Sequence, residues 1–107
     1  MNWRRAAGPG LAADPRVLEL ISHVTDTAAA ARISVSVCGD SAADQRVLPL
    51  LIGVGVRVVS VPAASVSRVR SWIGGLDTGA CAALAAKALT TSSARENWEL
   101  VGRADLS

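Results

Sequence analysis

The sequence predicts an α/β domain built on parallel strands, and three observations carry that reading. Helix-like and strand-like periodicities alternate along the chain. The second strand-like run, residues 54–61, is almost continuously apolar and β-branched, as in a parallel strand covered on both faces. The segments joining the two strands hold a helical pattern rather than a tight hairpin turn. With 107 residues, 50% hydrophobic and 19% charged, the chain has material for one core, and it is too short for a complete barrel enzyme of about 250 residues.

Residues 1–13, with Gly8, Pro9 and Gly10 and no clear period, read as a flexible leader ahead of a domain that begins at Asp14. Asp14 followed by Pro15 is an N-cap with proline in the first turn. Val17, Leu18, Ile21 and Val24 then recur at helical spacing, so a helix is expected over 15–31. Ile33 to Val37 alternates apolar and polar residues with β-branched side chains, which predicts a strand ending at Cys38-Gly39. Asp40, Ser41 and Asp44 are cap-type residues before an apolar run, giving a second helix over 41–52 in which Pro49 is a misfit and which Gly53 ends. The second strand, 54–61, is broken by Arg57 and stopped by Pro62. Ser65 is expected to cap a helix carrying Val66, Val69 and Ile73 that Gly74-Gly75 terminates. An Ala-rich helix over 78–89 and a short one over 93–101 follow.

Composition narrows the function classes. Phe and Tyr are absent and Trp numbers three, so stacking platforms for single-stranded nucleic acid are lacking. The net charge is +2 and the basic residues are scattered, leaving no polybasic stripe. Arg4-Arg5 is not followed by an apolar targeting segment, and the longest apolar runs fall short of the roughly 20 residues a membrane span needs. A cytoplasmic protein without membrane or nucleic-acid partners is therefore expected. Cys38 and Cys81 form no CxxC pair and have no histidine cluster beside them, which leaves no metal site or disulfide framework to expect.

In parallel α/β folds the loops after strand C-termini carry chemistry, because helix N-termini present donors and positive dipole there. Cys38 stands at such an end. Gly39 permits close backbone approach, and Asp40 leads toward a helix start able to lower a thiol pKa or bind an anion. The alternative is that Cys38 is a small core residue, as free cysteines commonly are. Cys81, on the Ala-rich helix, reads as packing. His23, the lone histidine, reads as a solvent-facing helix residue without partners for metal or nucleophile chemistry. Gly53-x-Gly55 reads as a helix-to-strand turn. Ser60 and Ser65 fit anion contacts and turn or cap roles equally well.

At Val37-Cys38-Gly39-Asp40-Ser41-Ala42-Ala43-Asp44 the chain resembles the "M-C-G-E-x-A-x-D" signature of phosphoenolpyruvate-protein phosphotransferase, Enzyme I of the sugar phosphotransferase system. The likeness extends to Asp14-Pro15 with Val17-Leu18 and Leu20-Ile21 (family "HPAVLxLI"), Leu50 to Gly55 ("LLLGMG") and Val59-Ser60-Val61 ("FSM"). It continues through Ser65, Arg68-Val69-Arg70 and Ile73 into the closing helices at Leu84-Ala85, Lys87 to Leu89 and Leu100-Val101, so that about residues 14–101 are covered almost without a gap.

The resemblance implies a partial (βα)8 TIM barrel: its last two parallel strands and the helices after them, occupying residues 14–101, with 102–107 as a tail. It implies that Cys38 is the cysteine that protonates the enolate carbon of departing pyruvate, with Gly39 and Asp40 as weaker substrate contacts. Phosphoenolpyruvate is then the substrate, magnesium the metal of the complete enzyme, and a histidine on a separate domain the phosphoryl acceptor. A thiol at a barrel strand's end can serve as a positioned general acid if it keeps its proton.

The chain departs from the pattern at Asp40, where the family has Glu; at Arg57-Val58, where it has an acidic pair; and at Pro62, where it has serine. The magnesium ligands, the "TND" loop, the phosphate-binding arginines and the phosphohistidine motif are not among these residues, and His23 is not in that motif. Enzyme activity of the chain alone is accordingly left open, with three functions in view: the cysteine end of a phosphotransferase site, a non-catalytic remnant serving as a structural or interaction module, and a thiol redox protein for which Cys81 is a poor resolving partner. Two strands cannot close a barrel, so self-association, as in the dimerising family, or docking onto the remaining barrel segments is expected.

Overall fold

The computed structural model describes residues 11–38 and 44–107. Its elements alternate as the sequence predicts: α1 (Pro15–Ala30), β1 (Ser36–Cys38), α2 (Leu48–Gly53), β2 (Val58–Ser60), α3 (Val66–Gly74), α4 (Thr78–Ala88) and α5 (Ala94–Arg103), with single 3-10 turns at Leu11–Ala13 and Ala63–Ser65. β1 and β2 pair in parallel, in the register Ser36 with Val58, Val37 with Val59 and Cys38 with Ser60. The result is a mostly helical α/β arrangement around a two-stranded sheet.

α1 starts where its cap dictates. The Asp14 side chain accepts the backbone N–H of Arg16 at 2.8 Å, and Pro15 occupies the first turn, where its missing N–H costs nothing. The helix ends in a Schellman arrangement: the N–H of Arg32 donates to Ala29 O at 3.1 Å and that of Ile33 to Ala28 O at 2.8 Å. This puts Arg32 in the left-handed region, at φ 57°. Glycine reaches that region without a Cβ penalty, so Arg32→Gly is expected to raise stability by about 0.5–1 kcal/mol in urea denaturation.

The same closure explains why β1 is shorter than expected. Ile33, given to the strand by its periodicity, spends its N–H on the helix end and is 65% exposed. The ladder then runs for three residue pairs only. β2 is likewise trimmed to 58–60, and its expected burial on both faces is not found: Val58 and Ser60 are exposed and Val59 half-buried. An apolar β-branched run predicts coverage only where neighbouring layers exist to supply it, and a two-stranded sheet lacks them.

The helix expected over 41–52 is also revised. Residues 44–47 form a turn in which the Asp44 carbonyl accepts the N–H groups of Val47 (3.1 Å) and Leu48 (2.9 Å), and α2 begins at Leu48. Pro49 is therefore a first-turn proline rather than a misfit. Residues 41–43 lie outside the described residues.

The core is aliphatic, centred on Leu18, Leu50, Leu51, Val56, Leu84 and Ala85. α2 packs on α4 at Gly53, where an added Cβ would strike the Cys81 carbonyl oxygen. Ala12 and Ala13, which the sequence places in the leader, are buried, and the Ala13 carbonyl accepts a hydrogen bond from Asn97 Nδ2 on α5 at 2.7 Å. The expected 102–107 tail folds back as well. α5 runs to Arg103, and the Leu106 carbonyl accepts the Asp77 N–H at 2.7 Å beside the start of α4. The packed unit thus reaches beyond 14–101 at both ends; residues 1–10 lie outside the described residues. No described helix is long and apolar enough to cross a membrane.

Candidate functional site

Parallel pairing brings the C-terminal ends of β1 and β2 together, which sets Cys38 beside Ser60 at the last rung of the ladder. Cys38 is thus at a strand end, as its place after a β-branched run predicts. Gly39 and Asp40, the other two predicted site residues, lie outside the described residues. Asp44, which closes the cysteine motif, is half-buried and acts as a turn former: its Oδ1 accepts the Arg46 N–H at 2.9 Å. Burial pushes its carboxyl above the ordinary range, against the opposing pull of that hydrogen bond.

After Ser60, the last residue of β2, the chain presents Val61 and Pro62 and then a 3-10 turn. Ser65 does not cap α3 with its side chain. It has helical dihedral angles, and its hydroxyl accepts from Arg68 Nη2 at 3.2 Å, while the Arg68 guanidinium stacks on Trp72. The preceding 3-10 turn, begun at Pro62, supplies the entry to α3 expected of Ser65.

Arg57, which interrupts the apolar run in the sequence, has a defined task. Its Nη1 donates to Ile52 O at 2.8 Å, at the C-terminal end of α2, and to the carbonyl of the preceding residue, Val56 O, at 3.0 Å. Only the break in the apolar pattern marks it in the sequence; the carbonyls it serves depend on where α2 ends. Thr25, which no sequence signal singles out, is buried, and its hydroxyl lies 2.6 Å from Val54 O and 2.9 Å from Ser22 O, one proton serving either acceptor. It sits against Gly55, whose φ of 108° allows the turn into β2.

His23 is exposed on α1, at an open depression it shares with Arg16, Glu19 and Asp26. Cys81 is fully buried on α4, the packing position expected of it. Burial, with a smaller contribution from the Asp77 carboxylate, raises its thiol pKa, so thiolate forms there with difficulty. In a Cys38→Ala chain the remaining thiol is expected to react with a disulfide reagent only as fast as the protein opens. Labelling at the folded-state rate of an exposed thiol, followed by absorbance, would contradict that placement.

Cysteine and serine ending two adjacent parallel strands do not by themselves name a chemistry, so relatives decide among their meanings. Residues 11–78, from the N-terminal turn to the first residue of α4, match the family described as "PEP-utilising enzyme, PEP-binding domain". The phosphoenolpyruvate-protein phosphotransferase of Chlamydia pneumoniae is 33% identical over 89 residues, covering 83% of this chain and 16% of the relative. That of Listeria monocytogenes is 38% identical over 88 residues, 82% of this chain and 15% of the relative. In Enterococcus faecalis the identity is 41% over 76 residues, 71% of this chain and 13% of the relative. The chain thus spans about a sixth or less of each relative's length. The family match alone spans both strands and the turn between Cys38 and α2, and on that ground the chain belongs to the family of PEP-utilising enzymes, matching their PEP-binding domain.

Proposed function

We propose that the chain is the C-terminal part of a phosphoenolpyruvate-dependent phosphotransferase, contributing the end of a phosphoenolpyruvate-binding barrel in which Cys38 is the proton donor. In the full reaction phosphoenolpyruvate gives its phosphoryl group to a protein histidine, and the Cys38 thiol delivers its proton to the enolate carbon of the pyruvate left behind. The observation that carries this reading is the place of Cys38 at the C-terminal end of β1, in register with Ser60, inside the segment that matches the PEP-binding domain. Gly39 and Asp40 follow as substrate contacts, Asp40 with a reach one methylene shorter than glutamate.

The remaining barrel strands complete the site, supplied by other segments or approached through self-association. Magnesium belongs to that complete site. Among the described residues no three His, Cys, Asp or Glu side chains stand together to hold a metal, and no step is routed through the ion. A second reading, a non-catalytic remnant acting as a structural or interaction module, is favoured by Arg57-Val58 standing where the resemblance expects an acidic pair.

An amide NMR titration of the 107-residue chain with phosphoenolpyruvate, with and without magnesium, separates the two. Saturable shifts confined to Cys38, Gly39 and Asp40, lost in Cys38→Ala, are the expected result. A folded spectrum indifferent to both ligands leaves the remnant reading.

A further inference from the structure

We propose that a cavity between β2 and helices α2 and α3 binds a small carboxylate with a compact apolar body. The cavity encloses about 150 Å³ and is lined by Leu48, Ile52, Val56, Val59, Ile73 and Leu76, with Arg57 and Thr78 as its polar wall. A cavity of this volume has room for a benzene-sized body. It adjoins an open groove of about 500 Å³ that shares Arg57, Val59 and Ile73 with it, adds Arg70 and runs along β2 to Ser60. Ile73, on the boundary between the two, is 40% exposed, an apolar side chain left to water where a ligand would cover it.

The arginines define the ligand's charge. Among the described residues the one ion pair joins Arg16 to Asp14, so neither Arg57 nor Arg70 is held in a salt bridge there. Arg57 is also held in place: Nη1 is committed to the carbonyls of Ile52 and Val56, while Nη2 and Nε have no protein partner among the described residues. A guanidinium fixed in this way, with a free edge beside an apolar cavity, meets a carboxylate without first losing side-chain freedom. A phosphate dianion has no apolar body to fill the cavity, and a neutral hydrocarbon makes no use of either cation. Ser60 lines the adjoining groove and not the cavity, so the inference concerns the cavity beside Arg57 and does not require the phosphotransferase reading.

Benzoate and the neutral, similarly shaped benzyl alcohol are the probes, titrated into the full chain while methyl and amide resonances are followed. The expected result is saturable benzoate shifts centred on Val59, Ile73 and Leu76, with benzyl alcohol at least about tenfold weaker. Arg70→Gln, at an exposed position without protein partners among the described residues, should weaken benzoate about three- to tenfold and leave benzyl alcohol unchanged. Arg57→Gln should weaken benzoate more, read only if its amide spectrum remains folded. No saturable shift at these residues, equal affinity for the two probes, or benzoate affinity unchanged in both folded variants would each overturn the proposal.

Discussion

Gly53→Ala is expected to destabilise the chain by about 2–3 kcal/mol, although alanine is ordinarily the better helix residue by up to about 1 kcal/mol. The reason is the approach of α2 to α4. A Cβ at Gly53 would strike the Cys81 carbonyl oxygen and stand 2.6 Å from Ala85 Cβ and 2.8 Å from the Cys81 carbonyl carbon. Two of those three atoms are backbone in the middle of an eleven-residue helix whose inner face is itself buried, so the helices must separate for the methyl to enter. Gly74→Ala is the control. A Cβ there meets nothing within 4 Å, and the propensity gain should appear unopposed. Adding Ala85→Gly to Gly53→Ala should recover part of the loss and not all of it, because the Cys81 carbonyl remains in the way. Urea denaturation of the four chains, with circular dichroism as the probe, reads the result. A Gly53→Ala chain at least as stable as the parent would show that the two helices are not held at this distance.

Gly53 also marks how far the sequence carries. It is legible as a helix end, because glycine after an apolar run is a stop signal. That it is where two helices touch depends on α4, which begins 25 residues further on. Elements set by local chemistry are readable: Asp14-Pro15 starts α1, and the Asp77 side chain, accepting the Ala80 N–H at 2.8 Å, starts α4. Elements whose limits depend on partners are not. The start of α2 is misplaced by its cap-type residues, because Pro49 makes sense only once the helix begins at Leu48, and both strands are drawn too long because three pairs are all the ladder supplies. At the candidate site, Cys38 is readable from its position after the β-branched run, while the bond from Arg57 to Ile52 and the buried Thr25 hydroxyl on Val54 require the fold.

Asn97 lies furthest from anything the sequence discloses, and its replacement carries the other large effect. It belongs to a helix half of whose residues are polar, yet its side chain is fully buried. Nδ2 donates to Ala13 O at 2.7 Å across 84 positions of sequence, and Oδ1 accepts from the Thr91 hydroxyl at 2.6 Å. Asn97→Ala is expected to cost about 2–4 kcal/mol, from the unpaired Ala13 carbonyl and the space left behind. Thr91 can still donate to Ala88 O, 3.0 Å away, so the loss should concentrate at the N-terminal turn. Hydrogen exchange should then show the amides of residues 11–13 losing protection before those of α4.

Asn97→Asp tests the hydrogen-bond polarity apart from the packing. The carboxylate keeps an acceptor for Thr91 but faces the Ala13 carbonyl with no proton to offer, and burial raises the folded-state pKa of such a group. A raised folded pKa means that the folded chain binds the proton more tightly than the unfolded one, so stability falls as pH rises toward and through that pKa and returns on acidification, when the acid form can donate to Ala13. Relative to the parent, the Asn97→Asp chain should therefore be markedly destabilised at about pH 7 and less so near about pH 4. A deficit independent of pH would mean that the carboxylate has turned to water and that the turn at residues 11–13 does not depend on this bond.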